Sequence, residues 1–229
     1  MTRYVIGNWK CNKTLDDSKK WLDRFSRMYT PAPELAVIIA PSFILLRETA
    51  AYLKELGLEN VFLAAQDISP FPKGSYTGAV AADMVRGLVD YSVVGHSERR
   101  RYFHETSQDV ANKVSECVDA DLGPIVCVDQ PYAMSQLTSL TDIDSDKMII
   151  AYGPVEAMNF RIAEDPGRVT EAISFISQIH PKVPVVYGGA IKPDNVEKYA
   201  AIKGMSGLFV GEGSLDAEGF ATICGAVAG

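Results

Sequence analysis

Short, almost wholly apolar runs alternate with longer helix-patterned segments along the entire chain, and no other feature of the sequence narrows its fold as far. The runs are Arg3 to Trp9, Leu35 to Ala40, Val61 to Ala65, Tyr91 to Gly95, Pro124 to Val128, Met148 to Tyr152, Val183 to Tyr187 and Gly207 to Val210. A strand with one wet face alternates apolar and polar residues; these runs do not, so they read as parallel strands covered on both sides. Helix-start signals such as Asp16-Asp17-Ser18-Lys19 and Ser107-Gln108-Asp109 fall between them. Eight strand–helix repeats suit a closed barrel, and periodicity alone also permits an open doubly wound sheet.

With 229 residues, 47% of them apolar, the chain has material for one large core, and residues 1–229 read as a single domain. Two connections are short. Only 18 residues separate Val128 from Lys147, and Thr170 to Pro181 leaves room for about three helical turns, so the outer helices are expected to be trimmed, with faces open to higher assembly. A net charge of -7 and a basic cluster limited to Arg99-Arg100-Arg101 exclude a nucleic-acid partner. Met1-Thr2-Arg3-Tyr4-Val5 enters a strand at once, and no apolar run approaches the ~18 residues of a membrane span. A cytoplasmic protein without a membrane partner is the expectation. Cys11, Cys117, Cys127 and Cys224 form no CxxC pair and have no nearby histidine set, which points to reduced thiols and no metal.

Barrel chemistry gathers where strands end, so the junctions carry the functional reading. Asn8 and Lys10 lie two residues apart at the end of the first run and share a face. His96, in Gly95-His96-Ser97-Glu98-Arg99-Arg100, stands before a helical turn whose exposed N–H groups disfavour a protonated ring. His104 and His180 read as structural or solvent-facing. Tyr187-Gly188-Gly189-Ala190 and Phe209-Val210-Gly211-Glu212-Gly213-Ser214 end the last two strands with glycine-rich turns, and such turns present backbone donors to anions.

Asn8-Trp9-Lys10, Gly95-His96-Ser97-Glu98-Arg99-Arg100 and Tyr187-Gly188-Gly189, in this order and at these separations, resemble the triosephosphate isomerase family over essentially the full chain. The resemblance implies a (β/α)8 TIM barrel and the family reaction of glycolysis and gluconeogenesis, interconversion of glyceraldehyde 3-phosphate and dihydroxyacetone phosphate, with no cofactor. It further implies that Lys10 holds the substrate's charge and Asn8 positions it. His96 would be a neutral electrophile, a role for which this family is the standard example. Glu98 would be a buried acid paired with the site's lysine and serine, and Ala190 and Gly211 would line the phosphate cup. The long loop Gln66 to Gly78 resembles the family's interlocking loop and implies a homodimer with Thr77 near the partner's site.

Several positions depart from the family pattern. Gly153 occupies the place of the glutamate that removes the substrate proton, and Glu156, three residues on, is the nearest acid and the candidate substitute base. Asn159-Phe160-Arg161 replace a glycine-threonine-glycine lid that donates to phosphate. Ala190 replaces a serine, and Glu212 replaces the second of two adjacent glycines. Without a base, a rate loss of ~10² to 10⁴ follows. Three readings stand: a family homologue with weak or absent ordinary activity, an active isomerase on a related substrate using Glu156, and a pseudoenzyme kept for assembly or metabolite binding.

Overall fold

In this computed structural model residues 2–129, 132–140, 143, 145–154 and 162–229 are described. Eight parallel strands close into a barrel in sequence order: β1 (Arg3–Asn8), β2 (Leu35–Ala40), β3 (Val61–Ala65), β4 (Tyr91–Val94), β5 (Gly123–Val128), β6 (Ile149–Tyr152), β7 (Val185–Tyr187) and β8 (Gly207–Val210). Closure of the sheet, which periodicity had left open, is thereby decided. The outer ring contains α1 (Leu15–Met28), α2 (Leu46–Leu56), α3 (Ala82–Val85), α4 (Ser97–Phe103), α5 (Ser107–Asp119), α6 (Ala133–Thr138), α7 (Pro166–Ile179), α8 (Val196–Ala200) and α9 (Ala217–Ala228).

The apolar runs divide by parity into two layers. Ile6, Ile38, Ala64, Val93, Ile125, Cys127, Ile149, Ala151, Val186 and Phe209 fill the barrel interior. Their neighbours Val5, Val37, Val94, Val126, Ile150, Val185 and Leu208 pack outward with the helices. Both faces are buried, which is why the runs show no polar alternation. α1 shows how an outer helix is specified. Thr14 and Asp17 form a reciprocal capping box at its start, and Trp21, Leu22 and Phe25 recur on its buried face. Trp21 meets Trp9 edge-on at 4.9 Å and stacks on Phe25 at 4.9 Å, tying the helix to the end of β1.

α6 has six residues, as the short connection from Val128 to Lys147 implies, whereas α7, the second helix expected to be trimmed, runs to 14 residues and equals α1 in length. α7 departs from its expected span by beginning earlier, at Pro166. Asp165 Oδ1 accepts from the N–H groups of Gly167 at 2.9 Å and Arg168 at 3.3 Å, and Pro166 supplies a first-turn φ, so the helix gains a turn at its start.

Closure depends on one close approach. Gly207 stands opposite Tyr4 where β8 meets β1, and a Cβ there would lie 1.9 Å from the Tyr4 carbonyl oxygen. Gly207→Ala should therefore cost about 3 kcal/mol or more, the upper end for overpacking. Urea denaturation read by circular dichroism checks this, and an unchanged midpoint would contradict the steric account.

Candidate active site

All the described site candidates converge on one rim of the barrel. Asn8, Lys10, His96, Glu98, Ala190 and Gly211 line a single cavity with about 430 Å³ of water-accessible space. Each stands at or just beyond the C-terminal end of a strand, where parallel closure brings the loops together. Glu156 and Asn159 to Arg161 lie outside the described residues.

Lys10 is held in a conformation that few lysines adopt, with φ of 53°. Its N–H donates to Asn8 Oδ1 at 3.0 Å, and its carbonyl accepts from Gln66 Nε2 at 2.9 Å. Gln66 also donates to the Ala40 carbonyl at 2.8 Å, so the turn after β1 is pinned to the end of β2. The Lys10 ammonium donates to Glu98 Oε1 at 2.6 Å. This confirms a Lys10–Glu98 pair and corrects one detail: Glu98 is half-exposed, its side chain 44% accessible, because it opens α4 on the cavity wall.

His96 is buried at the start of α4, and its Nδ1 accepts from the Glu98 N–H at 3.2 Å. That pattern assigns the ring proton to Nε2 in a neutral imidazole. Burial, reinforced by the Lys10 charge, lowers its pKa from 6.5 to about 4, with the Glu98 carboxylate opposing the shift. Desolvation is thus the leading cause, and the Lys10 charge is second. A neutral Nε2–H can donate to a carbonyl oxygen on which negative charge develops, and Lys10 adds a positive charge nearby.

Gly153 follows β6, and its N–H donates to the Val128 carbonyl at 2.9 Å. A small cavity beside it, with about 20 Å³ of water-accessible space, is lined by His96, Cys127, Asp129, Gly153 and Gly188 among others. Asp129 was missed in the sequence, although it continues the inward parity of Ile125 and Cys127. It is buried, and its Oδ1 accepts from Gln136 Nε2 at 2.6 Å and Arg100 Nη1 at 3.3 Å. Arg100 Nη2 also donates to the Cys127 carbonyl.

The glycine-rich segments after β7 and β8 form two turns on the cavity wall. Ala190 takes a positive φ of 51°, and Asn195 Nδ2 donates to its carbonyl at 3.1 Å. Glu212 is exposed on the cavity rim and opens a short 3-10 turn, Glu212–Ser214. Tyr187 Oη accepts from the Glu164 N–H at 2.9 Å and donates to the Gly189 carbonyl at 3.2 Å, linking the entry to α7 with the turn after β7. Among the described residues no group of three or more His, Cys, Asp or Glu side chains could hold a metal ion.

A family model described as triosephosphate isomerase matches residues 3–227. The chain is 34% identical over 244 residues to a protein of that name from Caldanaerobacter subterraneus subsp. tengcongensis, covering 96% of this chain and 97% of the relative. It is 32% identical over 235 residues to a Mesomycoplasma hyorhinis protein of the same name, covering 94% and 95%.

The His96 shift makes a signed prediction. Because the folded-state pKa lies below that of the unfolded chain, the stabilisation from a neutral His96 is complete above pH 6.5 and is lost as pH falls towards 4. The difference corresponds to about 3 kcal/mol at most. In an NMR titration the His96 ring should keep neutral chemical shifts down to pH 5; a midpoint near 6.5 would contradict the assignment.

Proposed function

This chain belongs to the triosephosphate isomerase family, and on that premise we propose that it is a slow isomerase whose carbonyl-polarising apparatus is kept while its proton-transfer and phosphate-binding parts are altered. The observation that carries the reading is the neutral, buried His96 beside the Lys10–Glu98 pair at 2.6 Å. In the family reaction, a ketose is converted to an aldose through an enediolate. His96 Nε2–H would donate to the substrate oxygen as charge develops there, with Lys10 close enough to stabilise it.

Two alterations support reduced turnover. Gly153 offers no side chain at the position the family fills with a base, and a positioned general base contributes ~10² to 10⁴ in rate. Glu212 adds a carboxylate at the rim where a phosphate would bind. Like charges at ~5 Å and an effective dielectric of ~20 repel by about 3 kcal/mol per pair, so a dianionic substrate is disfavoured further. The remaining cup donors are backbone N–H groups around Ala190 and Gly211, without the hydroxyl that a serine would add.

A coupled assay at high enzyme concentration tests the reading. Wild type should interconvert the two triose phosphates ~10² to 10⁴-fold more slowly than a family member that carries the base, and Lys10→Ala should abolish that turnover. No turnover from a folded protein would favour the non-catalytic, metabolite-binding reading, and full family-level turnover would remove the role given to Gly153.

A homodimer through the loop Gln66 to Gly78 belongs to the same proposal. Phe71 and Tyr76 stack at 4.6 Å at the loop's tip, and both are exposed, a form suited to insertion into a partner. Among the described residues no helix is long and apolar enough to cross a membrane, and the proposed setting is the cytoplasm. Light scattering should give about twice the chain mass of 24.9 kDa at micromolar concentration; the single-chain mass would overturn the dimer.

A further inference from the structure

We propose that Asp129, at the end of β5, is the carboxylate that takes the substrate's carbon-bound proton in place of the side chain missing at Gly153. The inference deepens the slow-isomerase reading and rests on it.

Register is the first argument. Val128 pairs with Tyr152, so Asp129 and Gly153 are the next residues on adjacent parallel strands, and the Gly153 N–H donates to the Val128 carbonyl at that level. Interior-facing residues alternate on both strands, Ile125 and Cys127 on β5 and Ile149 and Ala151 on β6. Continuing that parity by one step directs both Asp129 and Gly153 towards the barrel mouth. Adjacent strands are ~4.8 Å apart, so a carboxylate rooted at 129 is displaced by one strand spacing from one rooted at 153. Gly153 has no side chain to stand between it and the cavity.

The second argument is the surroundings of the carboxylate. Asp129 and His96 line the same small cavity, which meets the larger one at His96, Gly188 and Phe209. Its space of about 20 Å³ is room for roughly one water, so a proton crosses at most a single water molecule on its way from the substrate carbon. Gln136 and Arg100 both donate to Oδ1 and fix the side chain. Among the described residues Oδ2 accepts no hydrogen bond, which leaves it available as the proton acceptor.

The step balances within the substrate. Asp129 takes the proton from C1 as the C–H electron pair becomes the C1–C2 double bond and the carbonyl π pair moves to O2, next to His96. O2 takes up a proton and the O1 hydroxyl loses one, while Asp129 returns its proton to C2. C1 is oxidised and C2 reduced, so no external oxidant or reductant is needed.

The test uses the full chain in two readouts, coupled turnover and incorporation of solvent deuterium at C1 of dihydroxyacetone phosphate. Asp129→Asn keeps an oxygen for Gln136 and Arg100 and should reduce both rates by at least ~10²-fold, the range for loss of a general base. Gly153→Glu should raise the wild-type rate, and in that background Asp129→Asn should cost less than ~10-fold, because a base once more stands at 153. An equal loss in both backgrounds would make Asp129 a merely structural residue and overturn the proposal. Should the asparagine variant fail to fold, Asp129→Glu keeps the charge pair and moves the carboxylate by one methylene; unchanged rates there would overturn it as well. Turnover that survives Asp129→Asn but is lost in Lys10→Ala or Glu156→Gln removes Asp129 while leaving the isomerase reading. A wild type with neither turnover nor exchange removes both.

Discussion

The seam between β8 and β1 is the constraint from which the site follows. Tyr4 and Gly207 are paired there, and only a residue without a side chain lets the two backbones meet. Once the sheet closes, every strand end lies on one rim, and the inward parity of each strand decides which residue faces the mouth. A slip of one residue would turn each strand's interior set outward, so register is fixed by the whole interior layer. Asn8, Asp129, Gly153 and Gly211 therefore face the mouth although up to 203 residues separate them in sequence, and His96, which lies on the outward parity of Val94, joins them beyond the turn at Gly95, where φ is 68°.

Within that frame the charged part of the site is built by local strain and non-local clamps. A non-glycine residue at positive φ costs ~1–3 kcal/mol and persists only where its surroundings impose it. At Lys10 the imposition comes from Asn8 within the same turn, Gln66 after β3 and Glu98 at the start of α4. Three strands thus hold one ammonium group at the mouth. The same Glu98 presents its backbone N–H to His96, so one residue orients the cation and sets the imidazole tautomer.

The strands were legible because burial on both faces removes polar alternation, and the ranges Leu35–Ala40, Val61–Ala65 and Gly207–Val210 match the apolar runs residue for residue. Lys10, Asn8, His96 and Glu98 were legible because they sit in local motifs. Asp129 was not: an acid directly after a strand resembles an ordinary loop residue, and only the pairing of Val128 with Tyr152 shows that it stands beside Gly153. Gln66 was hidden for a similar reason, since its partners Lys10 and Ala40 are 56 and 26 residues away. The early start of α7 lies in Asp165-Pro166, a cap followed by proline, a local signal that a span counted from Thr170 leaves out.

The two halves of the site depend on different elements, and this separates their fates. His96 owes its neutrality to burial and to Lys10, and its tautomer to a bond within the first turn of α4; neither the Lys10 charge nor that bond passes through β6. The fit of the base depends on whatever side chain stands at the ends of β5 and β6. With glycine at 153 a water-sized space stands beside it, while Lys10 and Glu98 keep their pair and His96 its bond to the Glu98 N–H. A barrel built this way can lose its base and still present a polarising pocket, and a neighbouring strand of the same parity is the nearest place from which a new carboxylate can reach it.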